Sequence, residues 1–565
     1  PKYEVRGFML DVGRRPFESE TLQEVAKTML WYKMNDLQLH LNDNYIFLEN
    51  YSTSEGAMSA YEGFRMESDV KEGGLNQADL TSDDMYYTKA EMKSMIQNYR
   101  KLGLDIIPEF DTPAHSLSFT KVRPDLRFGT TGRQNDHFNL STKYDESLAF
   151  IESIWDEYIK GDDPVFDQDT TVNIGTDEYD GQYTEQFRKF TDDLLAYIQD
   201  NGNTVRLWGS LTARNGSTSV RSEGVQMNIW NDGWANPKSM YQQGYDLIDM
   251  NDGRVYIVPA AGYYADYLSR ESMYNYDPAT RMGVPSGSEQ TLGGAYAIWN
   301  DMVDQRANGL TEMEIYDRFN DAAPYYAAAL WGKSGEVSFT TAQQTSENVG
   351  EAPGVNAYDK VNSETDEILS YDFADGLSDK SANEYDAENG KNAEVKDGEL
   401  VLKGGESYIS TPLDKVGPEK ELSFDITLTQ PAEPGQILFE AEKDEDHEAY
   451  STHNIRIMED GTLGFTREGY DYSFGYKLPV NQKMTLKIRT KNGSTVLIAD
   501  GKEYKATGSF TYEGDVKKTG ITSSTLSLPL TRIGSDTNAV HAIIDNVNLS
   551  STMSDGESSP IDPSG

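Results

Sequence analysis

Between Glu4 and about Ala329, short β-rich runs alternate with helix-length stretches, and this rhythm constrains the fold more than any other feature of the chain. The runs are Glu4–Gly13, Asp36–Asp43, Leu104–Asp111, Thr171–Tyr179, Val205–Ser210, Gly224–Trp230, one within Asp246–Pro259, and Ala295–Asp301. Ser19–Tyr32, Lys89–Lys101, Glu146–Ile159 and Glu185–Gln199, lying between them, place apolar residues at helical spacing. Apolar strands alternating with helices imply a parallel sheet covered on both faces. Eight such units in series imply a closed (β/α)8 TIM barrel over residues 1–336. A doubly wound open sheet is the competing arrangement, but nothing in the chain resembles its Gly-rich phosphate turn.

Beyond the barrel the pattern changes. Residues 337–369 are rich in Thr, Ser, Gln, Asn and Glu and are expected to form a linker or capping excursion. From 370 to 550 short alternating strands recur, separated by turns such as Asp397-Gly398, Asp460-Gly461, Asn492-Gly493 and Asp500-Gly501, which predicts an all-β sandwich. Residues 551–565, rich in Ser, Asp, Pro and Gly, are expected to be a flexible tail.

Composition narrows the partners. A net charge of −44 without a Lys/Arg cluster repels phosphate backbones and anionic lipid heads, so no nucleic-acid partner is expected. No apolar run approaches the roughly 20 residues that span a bilayer, so no membrane insertion is expected either. With no cysteine, disulfides, thiolate metal sites and cysteine nucleophiles all fall away. The 35 tyrosines suit both packed interfaces and stacking on the apolar faces of pyranose rings. No signal peptide is visible, and the chain is read as a processed or truncated form.

Active sites of (β/α)8 barrels lie where the strands end at their C-termini. Those ends carry Asp11 and Arg14; His40 and Asp43; Glu109, Asp111 and His115; Asp177 and Glu178; Trp208; Trp230; Tyr263, Tyr264 and Asp266; and Trp299 and Asp301. Carboxylates and aromatics therefore converge on one rim. No HExxH pair, EF-hand loop or Cys ligand supports a metal, and no G-x-S-x-G elbow supports serine hydrolysis. No cofactor is expected. The pattern reads as a sugar-cleaving site. Two carboxylates adjacent in sequence do not obviously flank a scissile bond, so they suit a mechanism in which a 2-acetamido group on the substrate attacks the anomeric carbon. Glu178 then serves as acid and base, and Asp177 holds and stabilises the acetamido group.

These residues carry a resemblance. Residues 1–330 resemble glycoside hydrolase family 20, the β-N-acetylhexosaminidases and lacto-N-biosidases, through Arg6–Arg14 (RGFMLDVGR), Tyr32–Asp43 (YKMNDLQLHLND), Glu109–Ser116 (EFDTPAHS) and Ile174–Tyr179 (IGTDEY). Leu207–Gly209, the Trp230 strand, Tyr263–Asp266 and Trp299–Asp301 continue the series, one piece per strand end. The resemblance implies that Arg14 grips sugar hydroxyls, and that Asp43, Asp111 and His115 form the polar network behind the acid. It implies that Trp208, Trp230 and Trp299 box the acetamido group and that Tyr264 bonds its oxygen, Tyr263 taking that role if the register is off by one. Asp266 belongs to the same binding rim. Two departures stand out. The last strand reads Trp299-Asn300-Asp301 where single-sugar enzymes usually carry Trp-x-Glu, and the acid motif reads Gly-Thr-Asp-Glu rather than Gly-Gly-Asp-Glu. The shorter acid leaves room beyond the first sugar and resembles the lacto-N-biosidase branch, which releases Galβ1-3GlcNAc. The insertion Asn44–Tyr87 is expected to supply an extra wall.

The C-terminal sandwich is similar to concanavalin-like and laminin-G-like lectin domains, which implies an extra glycan contact; Asp444, Glu445 and Asp446 are read as a solvated acidic turn rather than a calcium loop. A secreted or cell-surface location of bacterial type follows from the implied oligosaccharide or glycoconjugate substrate. Release of single GlcNAc or GalNAc, a non-catalytic glycan-binding adhesin and a hydrolase with an enzymic nucleophile are the alternatives.

Overall fold

Strands buried on both faces need apolar side chains throughout, and the first barrel strand, Val5–Asp11, is buried at every residue. A computed structural model of the 565-residue chain describes residues 1–551 apart from 74, 260, 303–308, 443–452, 468–469, 492, 513–515 and 522–524. Its parallel strands are β1 (Val5–Asp11), β2 (Asp36–His40), β3 (Asp105–Thr112), β4 (Val172–Gly175), β5 (Val205–Trp208), β6 (Val225–Ile229), β7 (Asp246–Asp249) and β8 (Thr291–Ile298). They neighbour one another in chain order, and β1 also pairs with β8 through Leu10 and Ile298, which closes the barrel. The expected (β/α)8 architecture is therefore present.

The helices fall where apolar spacing places them: α1 (Ser19–Trp31), α2 (Lys89–Lys101), α3 (Tyr144–Ile159) and α4 (Thr184–Asp200). A capping box starts α2, where Thr88 and Glu91 each satisfy the other's backbone N–H. The seventh unit departs from a simple strand. After β7 the chain turns through a short helix, Asp252–Val255, then rejoins β8 as the two-residue strand Tyr256–Ile257. That detour carries Asp252 to the rim.

Polar side chains continue through the barrel interior. Arg206 forks onto Asp36 at 2.9 and 2.7 Å, and Gln38 receives Asn228 and donates to Glu109. Such a chain is tolerated inside a barrel because its members satisfy one another.

The insertion after β2 folds onto the top of β1. A small hairpin pairs Asn42–Asn44 with Glu62–Phe64, so close that a Cβ on Gly63 would lie 2.3 Å from the Gly13 carbonyl. Arg65, fully buried, clasps the carbonyls of Val12 and Gly13.

Two compact units emerge: Pro1–Asp304 with Ala322–Val355, and Gln305–Asp321 with Asn356–Gly565. The stretch 337–369, expected as a linker or capping excursion, contains an eleven-residue helix, Phe339–Val349. The second unit is built on antiparallel strands in which two long ones, Glu399–Val416 and Leu528–Ser550, pair along most of their length. Burial alternates along Lys420–Leu428, as the period-2 pattern requires. The acidic turn at Asp444, Glu445 and Asp446 lies outside the described residues, as does the tail from 552. No helix among the described residues is long and apolar enough to cross a membrane.

Candidate active site

The strand expected to end at Tyr179 stops at Gly175, so Asp177 and Glu178 stand on a tight loop rather than on β4 itself. Thr176 and Glu178 both adopt left-handed backbone, φ +67° and +51°, and His115 after β3 does the same at +55°. Each such non-glycine residue costs about 1–3 kcal/mol and needs its surroundings to hold it. The loop is fastened at both ends. The Thr176 N–H donates to Thr112, and the Tyr179 hydroxyl donates to the Phe138 carbonyl while its ring stacks on Phe187. Gly175 at φ +80° is obligatory, because a Cβ there would lie 2.1 Å from Asp111 Oδ1.

His115 is the hub. Its Nδ1 faces Asp43 Oδ1 at 3.1 Å, and its Nε2 faces Glu178 Oε1 at 3.0 Å and Asp177 Oδ2 at 3.4 Å. Burial opposes its charge, but Asp43 and Asp177 outweigh that and hold the imidazolium well above the usual histidine range. Asp43 also meets His40 Nε2 at 2.6 Å and Arg14 Nη2 at 3.1 Å. Against burial, Arg14 and His115 keep it ionised, well below the ordinary value.

Asp111 behaves in the opposite way. Burial and then the charges of Asp177 and Glu109 push it well above the carboxylate range, and among the described residues neither of its oxygens has a hydrogen-bond partner. A neutral carboxyl here can donate to a neighbouring carboxylate.

Glu178 is drawn down to about 2: burial pulls upward, but the His115 bond and the nearby Arg133 and Arg14 charges prevail. Arg133 Nη1 stands 3.9 Å from Glu178 Oε2.

Arg14 is buried with its guanidinium ringed by acids. Nη1 reaches Asp11 at 3.2 Å and Asp301 at 3.0 Å, and Nε donates to the Asn44 carbonyl. Asp301 in turn accepts from the Tyr263 hydroxyl at 2.6 Å. Burial raises Asp301 above its usual value although Arg14 opposes this.

An aromatic cluster packs against this network, with Trp299 4.7 Å from the His40 ring and beneath the Arg14 guanidinium. Trp208 and Trp299 sit 5.5 Å apart; Trp208 donates to Glu109 Oε2, and Trp230 donates to the Gly209 carbonyl and stacks on Trp234. Among the described residues the buried Trp299 Nε1 has no partner. Tyr264 packs against this cluster with Tyr45, Ile46 and Phe47 from the insertion, and its hydroxyl donates to Asp252 at 2.6 Å. Asp252 first, then Asp301 and Glu178, add to the burial that raises the Tyr264 phenol. Asp266 lies half-buried two residues further along the same loop.

The structure thus gathers Arg14, Asp43, Asp111, His115, Asp177, Glu178 and Asp301 into one charged network, with Trp208, Trp230, Trp299 and Tyr264 along its other side. Sequence reasoning missed Asp252 and Arg133. The first lies in the detour after β7, and the second in a turn, Gly132–Asp136, that carries no periodicity.

Among the described residues three trios offer ligand atoms close enough for a cation: His40, Glu109 and Asp111; Asp43, Asp111 and His115; and His115, Asp177 and Glu178. Each contains a histidine raised by flanking carboxylates, or, for His40, pushed up to about 10. A protonated imidazole has no lone pair to give a metal, so these groups fit an ion-pair network better than a metal centre.

Fold and site define the class: a (β/α)8 barrel whose strand C-termini hold paired acids and a cluster of tryptophans. The family model for the glycosyl hydrolase family 20 catalytic domain matches residues 3–331. The chain belongs to glycosyl hydrolase family 20. It is 23% identical over 399 residues to a probable beta-hexosaminidase of Arthroderma benhamiae, covering 59% of this chain and 59% of the relative. It is 22% identical over 344 residues to the lacto-N-biosidase of Bifidobacterium bifidum, covering 56% of this chain and 28% of the relative. A Flavobacterium johnsoniae chitobiase structure aligns at TM-score 0.47 and 19% identity over 62% of this chain and 51% of that one. The alignments span little more than half of the hexosaminidase and under a third of the lacto-N-biosidase.

Proposed function

We propose that this protein is a retaining exo-glycoside hydrolase that cleaves β-linked N-acetylhexosaminides, with the 2-acetamido oxygen of the substrate as nucleophile. The observation that carries this reading is the placement of Asp177 and Glu178 on one three-residue arc, both in contact with the same His115 nitrogen. Acids so close together do not stand on opposite faces of a sugar ring, as an enzymic nucleophile and its acid must. Asp177, with Oδ1 unpartnered, accepts the acetamido N–H and balances the positive charge of the forming oxazolinium. The Trp208, Trp230 and Trp299 cluster confines the acetamido group, with Tyr264 packed against the same cluster. Glu178 delivers a proton to the leaving oxygen and then takes one from water. Its bond to His115 and the Arg133 and Arg14 charges hold it ionised, so it must gain a proton as substrate binds. A sugar seated over its partly exposed carboxylate strengthens the burial that already favours the neutral form.

The released unit is proposed to be the disaccharide lacto-N-biose. Asp301 is one methylene shorter than a glutamate and is drawn onto Arg14 and Tyr263, and the insertion sets Phe47 against Tyr263 at 6.2 Å. That arrangement supports a second sugar beyond the first. The Arg14–Asp301 pair supports the other reading, release of a single GlcNAc or GalNAc, because it lies where it can hold the far hydroxyls of a terminal sugar. Incubation with lacto-N-tetraose separates them: lacto-N-biose is expected, with the β-anomer formed first by NMR. Turnover of the 2-hydroxy analogue at the rate of the 2-acetamido substrate would defeat the proposal as a whole.

A further inference from the structure

Beside Glu178, with no tryptophan in its lining, lies a cavity of about 380 Å³, within the range of small-molecule pockets. Glu49, Thr131, Arg133, Gln134, His137, Glu178 and Asp180 line it. Arg133 is its unusual member. Among the described residues its Nε and Nη2 groups, shut off from water, have no hydrogen-bond partner, and Nη1 stands 3.9 Å from Glu178. Buried donors are seldom left unpaired, and those that are ask for an explanation.

We propose that this cavity receives the leaving-group sugar, that its occupant is a neutral pyranose, and that Arg133 is the residue that selects it. The proposal rests on reading Glu178 as the proton donor, because the leaving oxygen must lie against that carboxylate. The neutral class follows from the lining. Arg133 supplies donors, whereas Glu49, Asp180 and the Gln134 and Thr131 oxygens supply acceptors. A neutral sugar hydroxyl both donates and accepts, so it satisfies the two sets at once. An anionic group can only accept, and it would meet two further carboxylates besides Glu178. A small turn of the guanidinium toward the sugar pairs the two idle N–H groups. The same turn loosens its hold on Glu178 at the moment that carboxyl must carry a proton.

The test compares two substrates of one donor, the proposed lacto-N-biose unit: Galβ1-3GlcNAc β-linked to galactose, and the same disaccharide as its p-nitrophenyl glycoside. Arg133→Lys keeps the positive charge but removes the forked donors. The ratio of kcat/KM between galactoside and aryl glycoside should fall by about tenfold or more in this variant, as expected when a site loses donors built for a hydroxyl-bearing ligand. Glu49→Gln, on the same wall, should lower the ratio less and guards against a folding defect in the first variant. Replacing the leaving galactose by glucuronic acid should lower wild-type kcat/KM by a further tenfold or so. An unchanged ratio in both variants, or better turnover of the glucuronide, would overturn the inference while leaving the function intact. Failure of wild-type protein on every substrate would remove the function, and this inference with it.

Discussion

The two halves of the barrel rim are built on different physics. The ends of β1 to β4 and the loops after them bring Arg14, Asp43, Asp111, His115 and Glu178 together, and each of these groups is displaced from its ordinary pKa. The loops after β5 to β8 supply Trp208, Trp230, Trp299 and Tyr264, held by ring packing and at most one hydrogen bond each among the bonds seen here. In the charged half, removing one member leaves another buried charge without its partner, so the losses should be large, coupled and felt in kcat. In the aromatic half, the losses should be those of contact area, felt mainly in KM.

The largest effect should come from the acid pair. Glu178→Gln is expected to lower kcat on a sugar leaving group by about 10,000-fold, and Asp177→Asn by about 1,000-fold, in steady-state assays with lacto-N-tetraose. Near-wild-type kcat in either would dissolve the distinction between the halves.

Within the charged half the two buried aspartates should part company. Asp43 is ionised, and Asp43→Asn leaves Arg14 and His115 short of a counter-charge, so kcat should fall by about 100-fold. Asp111 is held neutral, and Asp111→Asn keeps its shape and a donor, so its loss should be about tenfold or less. Equal effects would show that the network does not divide them by protonation.

Across the rim, Trp299→Phe should raise KM about fivefold with little change in kcat. A kcat loss as deep as that of Asp43→Asn would mean the wall takes part in the chemistry rather than in shaping the pocket.

The smallest effect concerns stability. Burial opposes charge on His40, but Glu109 and Asp43 push it up to about 10. A group raised on folding stabilises fully below its unfolded value near 6.5, and that contribution fades as pH climbs through about 10. The melting temperature should therefore fall between pH 6.5 and 10, and His40→Gln should flatten that slope. An unchanged slope would assign the alkaline loss to other groups.

Much of this was legible before any coordinates. The alternation of apolar runs and helical spacing announced a barrel, and Asp177, Glu178, Trp208, Trp230 and Trp299 were legible as rim residues from their place at or just past the strand ends. Other features were not. The early end of β4 at Gly175 and the left-handed turns at Thr176 and Glu178 depend on Asp111 filling the space where a Cβ would sit. Arg133 and Asp252 lie in turns with no repeat or motif to mark them, and only folding brings them to Glu178 and Tyr264.

Residue order alone determined the class of fold, because burial of a parallel strand and of a helix stripe are local periodic demands written along the chain. It also determined which side chains end up on the rim, since strand direction follows from that order. Only the tertiary structure decided what those side chains are electrically. Arg14 meets Asp301 across 287 positions and His115 meets Glu178 across 63, and both Coulomb attraction and desolvation depend on distance in space rather than on separation along the chain.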